Sequence, residues 1–126
     1  MTAGRIYHIA DRLQWEEAVT AGAYRCSTLG LDLDEVGFIH CSFAGQVDGV
    51  AHRFYSDHPS PLVVLEIDQT APGRVGVEVR AEDGGAGELF PHIYGPIDPA
   101  WVLQVYPAGF GADGQFAWGD LGSPHA

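Results

Sequence analysis

Three histidines sit in or beside stretches that read as β-strands: His8, His40 and His92. Each has aromatic neighbours: Tyr7 beside His8, Phe38 near His40, and Phe90 and Tyr94 around His92. Imidazole can donate, accept or carry a proton near neutral pH. Polar tips set in an apolar wall are what a small-molecule cleft requires. Taken singly, each histidine reads as a half-buried side chain bonded to a backbone carbonyl. Taken together, His8 and His40 read as facing one cleft.

The alternation of Gly37 to Phe43 gives His40 its setting. Ile39, Cys41 and Phe43 share a core face, leaving Phe38, His40 and Ser42 on the cleft face. A Cys41–His40 couple is excluded, because neighbours on a strand point opposite ways, and Cys41 reads as a small core residue. Ser42 shares the face of His40, but about 7 Å separates alternate residues, and no base and orienter complete a triad. No Cys-x-x-Cys, His-x-His or His-Glu-x-x-His pattern occurs, so no bound metal is expected. The alternative is a three-histidine site of His8, His40 and His92 assembled in space. His52, His58 and His125 read as solvated. No phosphate-binding loop of the form Gly-x-x-x-x-Gly-Lys-Ser/Thr appears. Glu78, Arg80 and Glu82 form the wet side of a strand. Arg80 is singled out there as a fork donor for a phosphate or carboxylate.

The elements that must position these residues follow from periodicity. Arg5–Ile9 reads as a strand. Asp11 then caps a helix with Trp15, Ala18 and Val19 at helical spacing, and Gly22 ends it. A loop over 25–35 leads to the His40 strand. Ser42 is placed as the cap of a second helix, with Val47, Val50, Ala51, Phe54 and Tyr55 on one face and Asp57-His58-Pro59 as its stop. Leu62–Ile67 reads as a buried central strand. Arg74–Glu82 alternates with Val75, Val77 and Val79 inward, and Asp83-Gly84-Gly85 turns the chain. Glu88–Ile97 reads as an edge or bulged strand because of Pro91, and Trp101–Tyr106 as the last strand. The layout is α+β, with two early helices and about six strands.

With 126 residues and 46% hydrophobic content, the chain fits one domain over 1–107. A Gly-rich tail over 108–126 is expected to be partly mobile, with Phe110, Phe116 and Trp118 able to pin it to the body. There is no lysine, and six arginines face seventeen acidic residues, a formal charge of −11. That field opposes nucleic-acid backbones and anionic lipid. No apolar run approaches the roughly 20 residues of a membrane helix, and no apolar leader is seen, so a cytoplasmic protein with free Cys26 and Cys41 is expected.

The run Ile6-Tyr7-His8-Ile9, then Gly37-Phe38-Ile39-His40-Cys41-Ser42, then Arg80 and Glu82, then Phe90-Pro91-His92-Ile93-Tyr94-Gly95-Pro96-Ile97, resembles a bacterial family known as domain of unknown function 952. The resemblance covers residues 5 to 107. It implies an ADP-ribosyltransferase-like fold, two small sheets around an NAD-binding cleft. His8 then matches the first-strand position that contacts a ribose, and His40 the second position beside nicotinamide. This pairing resembles the His–His variant of the tRNA 2′-phosphotransferase branch. Glu88, before His92, is the candidate for the third, acidic position.

The expected site therefore comprises His8, His40, Glu88 and His92 as chemical groups, with Phe38, Ser42, Arg80 and Tyr94 contacting the ligand. NAD is implied as a substrate for transfer to an unknown acceptor. The alternatives are a non-catalytic domain for a nucleotide-like metabolite, and the three-histidine metalloenzyme. An RNA 2′-phosphate role conflicts with the charge and ranks below these.

Overall fold

The computed structural model describes residues 4–28, 31–58, 61–84 and 87–119. In chain order these form β1 (Arg5–Asp11), α1 (Arg12–Ala21), β2 (Cys26–Thr28), β3 (Leu31–Asp32), α2 (Leu33–Val36), β4 (Ile39–His40), α3 (Val47–Phe54), β5 (Leu62–Asp68), β6 (Val79–Asp83), β7 (Leu89–Ile93), β8 (Val102–Phe110) and β9 (Phe116–Trp118). The layout is mixed α+β with antiparallel pairing throughout these strands. One sheet runs β1-β5-β8-β9 and a second β4-β7-β6, while β2 and β3 form a hairpin. The two larger sheets meet at an antiparallel bridge between Tyr7 and Ser42.

β5 lies at the heart of the first sheet and is buried on both faces. On one face Ile6, Ala10, Val63, Leu65 and Ile67 pack with Trp15 and Ala18 of α1 and with Ile39 and Ile93 of the second sheet. On the other, Ile9, Leu62 and Val64 pack with Val47, Val50 and Ala51 of α3. The one buried charged residue of β5, Glu66, is tied to both neighbouring strands. It accepts from Arg5 of β1 at 2.5 Å and from the Tyr106 hydroxyl of β8 at 2.7 Å.

α1 forms as its sequence dictates. The Asp11 carboxylate accepts from the N–H groups of Leu13 and Gln14, and Gly22 closes the helix at φ 89°, in the left-handed region. Asp11 also accepts from His58 Nε2 at 2.8 Å, so His58 is a half-buried tie between segments and not a solvated turn residue. His52 is exposed, but its Nε2 accepts from the N–H of Phe116.

Several expectations need correction. The segment 25–35 is not a loop: it holds the β2–β3 hairpin and the start of α2, whose Asp32 and Glu35 form a reciprocal capping box. Ser42 does not cap α3, since a 3₁₀ turn over Ala44–Gln46 intervenes. Gln46 instead reaches back, its Oε1 accepting from the Phe43 N–H. Val75 is not inward but two-thirds exposed, because Pro72–Val75 winds into a 3₁₀ turn ended by Gly76 at φ 82°. β7 is a central strand in spite of Pro91. The Pro91 carbonyl accepts from Cys41 on the β4 side, so its missing N–H also falls on that side, where the two-residue β4 has ended. The last strand of the described chain is β9, which pairs with β8 and buries Phe116. His125, Pro59, Gly85 and residues 120–126 lie outside the described residues.

No helix of the described residues is long and apolar enough to cross a membrane.

Candidate functional site

A cavity of about 510 Å³ opens beside the second sheet. Its apolar wall includes Phe38, Phe90, Val50 and Phe54, and its polar lining includes His40, His92, Gln46, Glu88, Asp83 and Arg53. β4 and β7 bring the two histidines together, because His40 and His92 are directly paired across the strands. The ring of Phe38 stacks on His92 with centroids 4.0 Å apart, and Phe90 packs against His40 at 5.0 Å.

The contacts of His92 fix where one proton sits. Glu82 accepts from the Tyr94 hydroxyl and from His92 Nδ1, the latter at 2.8 Å. These two bonds hold its carboxyl below the ordinary range. A carboxylate only accepts, so His92 Nδ1 carries a proton and donates to Glu82. His40 Nδ1 lies 3.4 Å from His92 Nε2, and one of the two donates to the other. The remaining nitrogen of that ring is His40 Nε2. It is buried and has no hydrogen-bond partner among the described residues. Burial, then the adjacent His92 and Arg53, lower His40 to about 4, so the ring is neutral at pH 7.

The backbone of His40 is fixed from the opposite side. Its N–H donates to Ser27 Oγ at 3.1 Å, and its carbonyl accepts from His8 Nδ1 at 2.7 Å. His8 Nε2 in turn accepts from the Tyr24 hydroxyl at 3.1 Å. Burial lowers His8 to about 4, and it too is neutral. The expectation that His8 and His40 line one concavity is therefore corrected. His8 points into the core between the sheets, where both ring nitrogens are spent on protein partners, and it does not line the cavity. For the same reason His8, His40 and His92 do not converge as a ligand set. Among the described residues no group of three or more His, Cys, Asp or Glu could hold a metal ion.

The other expected site residues divide. Phe38 and Glu88 line the cavity, and Glu88 is held by Gln46 Nε2 at 3.0 Å. Ser42 does not line it: it is buried, with its backbone paired to Tyr7. Tyr94 serves as the second donor to Glu82, and Arg80 lies over the Tyr94 ring at 4.9 Å while paired with Glu78. Neither residue lines the cavity. Sequence reasoning missed Glu82, Arg53 and Gln46. The signal for Glu82 was present, since the Asp83-Gly84 turn sets a hairpin in which Arg80 pairs with His92 and Glu82 sits diagonally across from it.

The chain belongs to the family described as protein of unknown function (DUF952), whose profile matches residues 9–105. The crystal structure of protein CC0527 from Caulobacter crescentus is similar at 26% identity and a TM-score of 0.75, covering 90% of this chain and 93% of that one. The solution NMR structure of CC0527 matches at 27% identity and a TM-score of 0.70, over 88% of this chain and 90% of that one. No curated protein gives a significant match.

Proposed function

We propose that this family member binds an NAD- or ADP-ribose-type ligand in the cavity beside β4 and β7, within an ADP-ribosyltransferase-like pair of sheets. The observation that carries the reading is His40 Nε2, a polar atom buried without a partner among the described residues, on a residue of the cavity wall. An unmet buried polar atom costs about 1–3 kcal/mol, and a ligand hydroxyl, which can donate or accept, returns that energy. A ribose supplies such hydroxyls, and the Phe38 and Phe90 rings suit a planar base. Glu88 lies in the lining, where an acidic group faces a developing positive charge in glycosidic C–N cleavage.

A second reading, binding without turnover, is favoured by one observation. His40 is held near 4, well below the proton affinity of a base poised for neutral pH. Calorimetry with NAD and ADP-ribose tests the proposal. Wild type is expected to bind, and His40→Ala to bind roughly tenfold more weakly with little change in melting. Nicotinamide release from NAD separates turnover from binding. No heat with either compound at millimolar concentration would sink the NAD reading.

A further inference from the structure

α3 and the 3₁₀ turn before it show the cavity a face that a plain structural helix has no use for. Gly45, Gly49 and Arg53 recur every four residues, and all three line the cavity. A methyl group built on Gly45 or Gly49 would meet nothing within 4 Å, so neither glycine avoids a clash. Gly49 lies inside the helix, where glycine is less favourable than alanine, and what its bare Cα does is leave the cavity floor open.

Charge is distributed along the same face. Among the described residues, Arg5, Arg12, Arg25, Arg74 and Arg80 each pair with a carboxylate, whereas Arg53 does not. The guanidinium left without a carboxylate in a strongly acidic protein is thus the one in the cavity lining. At the other end of the helix Gln46 holds Glu88. Seven residues separate Gln46 from Arg53, about 10 Å along a helix. Asp83 is the second acidic group in the lining, and its Oδ1 accepts from the Gly87 N–H.

We infer that the α3 face seats an elongated ligand of opposed charge, its anionic group on the Arg53 fork and its cationic or hydrogen-donating end toward Glu88 and His40. A fork of N–H donors suits a phosphate or carboxylate. The acidic groups disfavour a ligand that is anionic throughout. The inference rests on the cavity being the ligand site. It narrows the proposed class to the oxidised dinucleotide, whose nicotinamide ring is cationic and whose pyrophosphate is anionic.

The bland role for Arg53 is to complement the carboxyl end of the α3 dipole. Amide and arginine Nε–H spectra of the full chain, titrated with inorganic pyrophosphate and separately with NAD, distinguish the two roles. Pyrophosphate is expected to shift the Arg53 Nε–H and the last turn of α3, with the backbone shifts lost in Arg53→Gln. Gly49→Leu fills the floor with a good helix former. It should melt no lower than wild type, keep the pyrophosphate response, and weaken NAD at least roughly tenfold. An Arg53 signal indifferent to millimolar pyrophosphate would overturn the seat, as would undiminished NAD binding by Gly49→Leu. A pyrophosphate response with no NAD response would leave the seat standing and remove only the dinucleotide.

Discussion

His8 Nδ1 lies 2.7 Å from the carbonyl oxygen of His40, so a core histidine on β1 holds the backbone that presents the cavity histidine on β4. His8→Ala would leave that carbonyl and the Tyr24 hydroxyl without their partner in a closed interior. The expected loss is roughly 2–4 kcal/mol of folding stability, from unmet polar groups and the void together. Urea unfolding of the variant reads this directly. A His8→Ala protein as stable as wild type would show that the clamp contributes nothing.

The two histidines also make stability depend on acidity. Both are lowered to about 4 in the folded chain from an ordinary 6.5. Above 6.5 they are neutral folded or unfolded, and their contribution is fully present. Between 6.5 and 4 the unfolded chain takes up protons that the folded chain refuses, so stability falls as pH falls. Proton uptake on unfolding in this window should be about two for the pair, and His8→Phe should remove about one. Unfolding midpoints measured across this range would expose an error if the His8→Phe and wild-type curves ran parallel.

The direction of the imidazole chain is open to spectroscopy. Long-range proton–nitrogen spectra of histidine-labelled protein should show a proton on His92 Nδ1, where Glu82 accepts from it. Glu82→Ala removes the acceptor that holds this proton, and both tautomers of His92 should then appear. A bare His92 Nδ1 in the wild type would reverse the assignment.

Asp11 joins the cap of α1 to His58. Burial opposes ionisation of Asp11, but the bond from His58 and those from the Gln14 and Leu13 N–H groups outweigh it, and its carboxyl stays below the ordinary range. Asp11→Ala should cost about 1–2 kcal/mol and speed amide exchange in the first turn of α1. His58→Ala should cost less, since the cap survives. Equal losses in the two variants would mean that the tie, and not the cap, carries the energy.

Local signals in the chain anticipated the local structure. Asp11 and Gly22 bracket α1, the apolar run of Leu62 to Ile67 marks β5, and alternation put Ile39 and Cys41 in the core and Phe38 and His40 on the cavity face. Alternation cannot say which face of a two-sided sheet meets solvent. Both faces of the first sheet are covered, so the side of β1 that carries His8 opens onto another layer and not onto a cleft. Pro91 misled for a related reason: its cost depends on whether a partner strand stands beside its nitrogen, and strand length beside a short β4 is a tertiary fact. The Glu82–His92–His40 chain depends on two strand registers at once, which no single stretch of sequence displays.

Glu66 has a consequence for how the first sheet assembles. Apart from this residue, Leu62 to Ile67 is apolar on both faces, so sliding β5 by one position would exchange one greasy surface for another at little cost. The carboxylate breaks that degeneracy. In the native alignment it meets Arg5 and Tyr106 from the two flanking strands, whereas a one-residue slip would turn it toward the face of Ile6, Trp15 and Ile39 and away from both of these donors. One acid in the most hydrophobic strand thus works as an indexing pin, penalising misaligned sheets during folding more than it strengthens the aligned one.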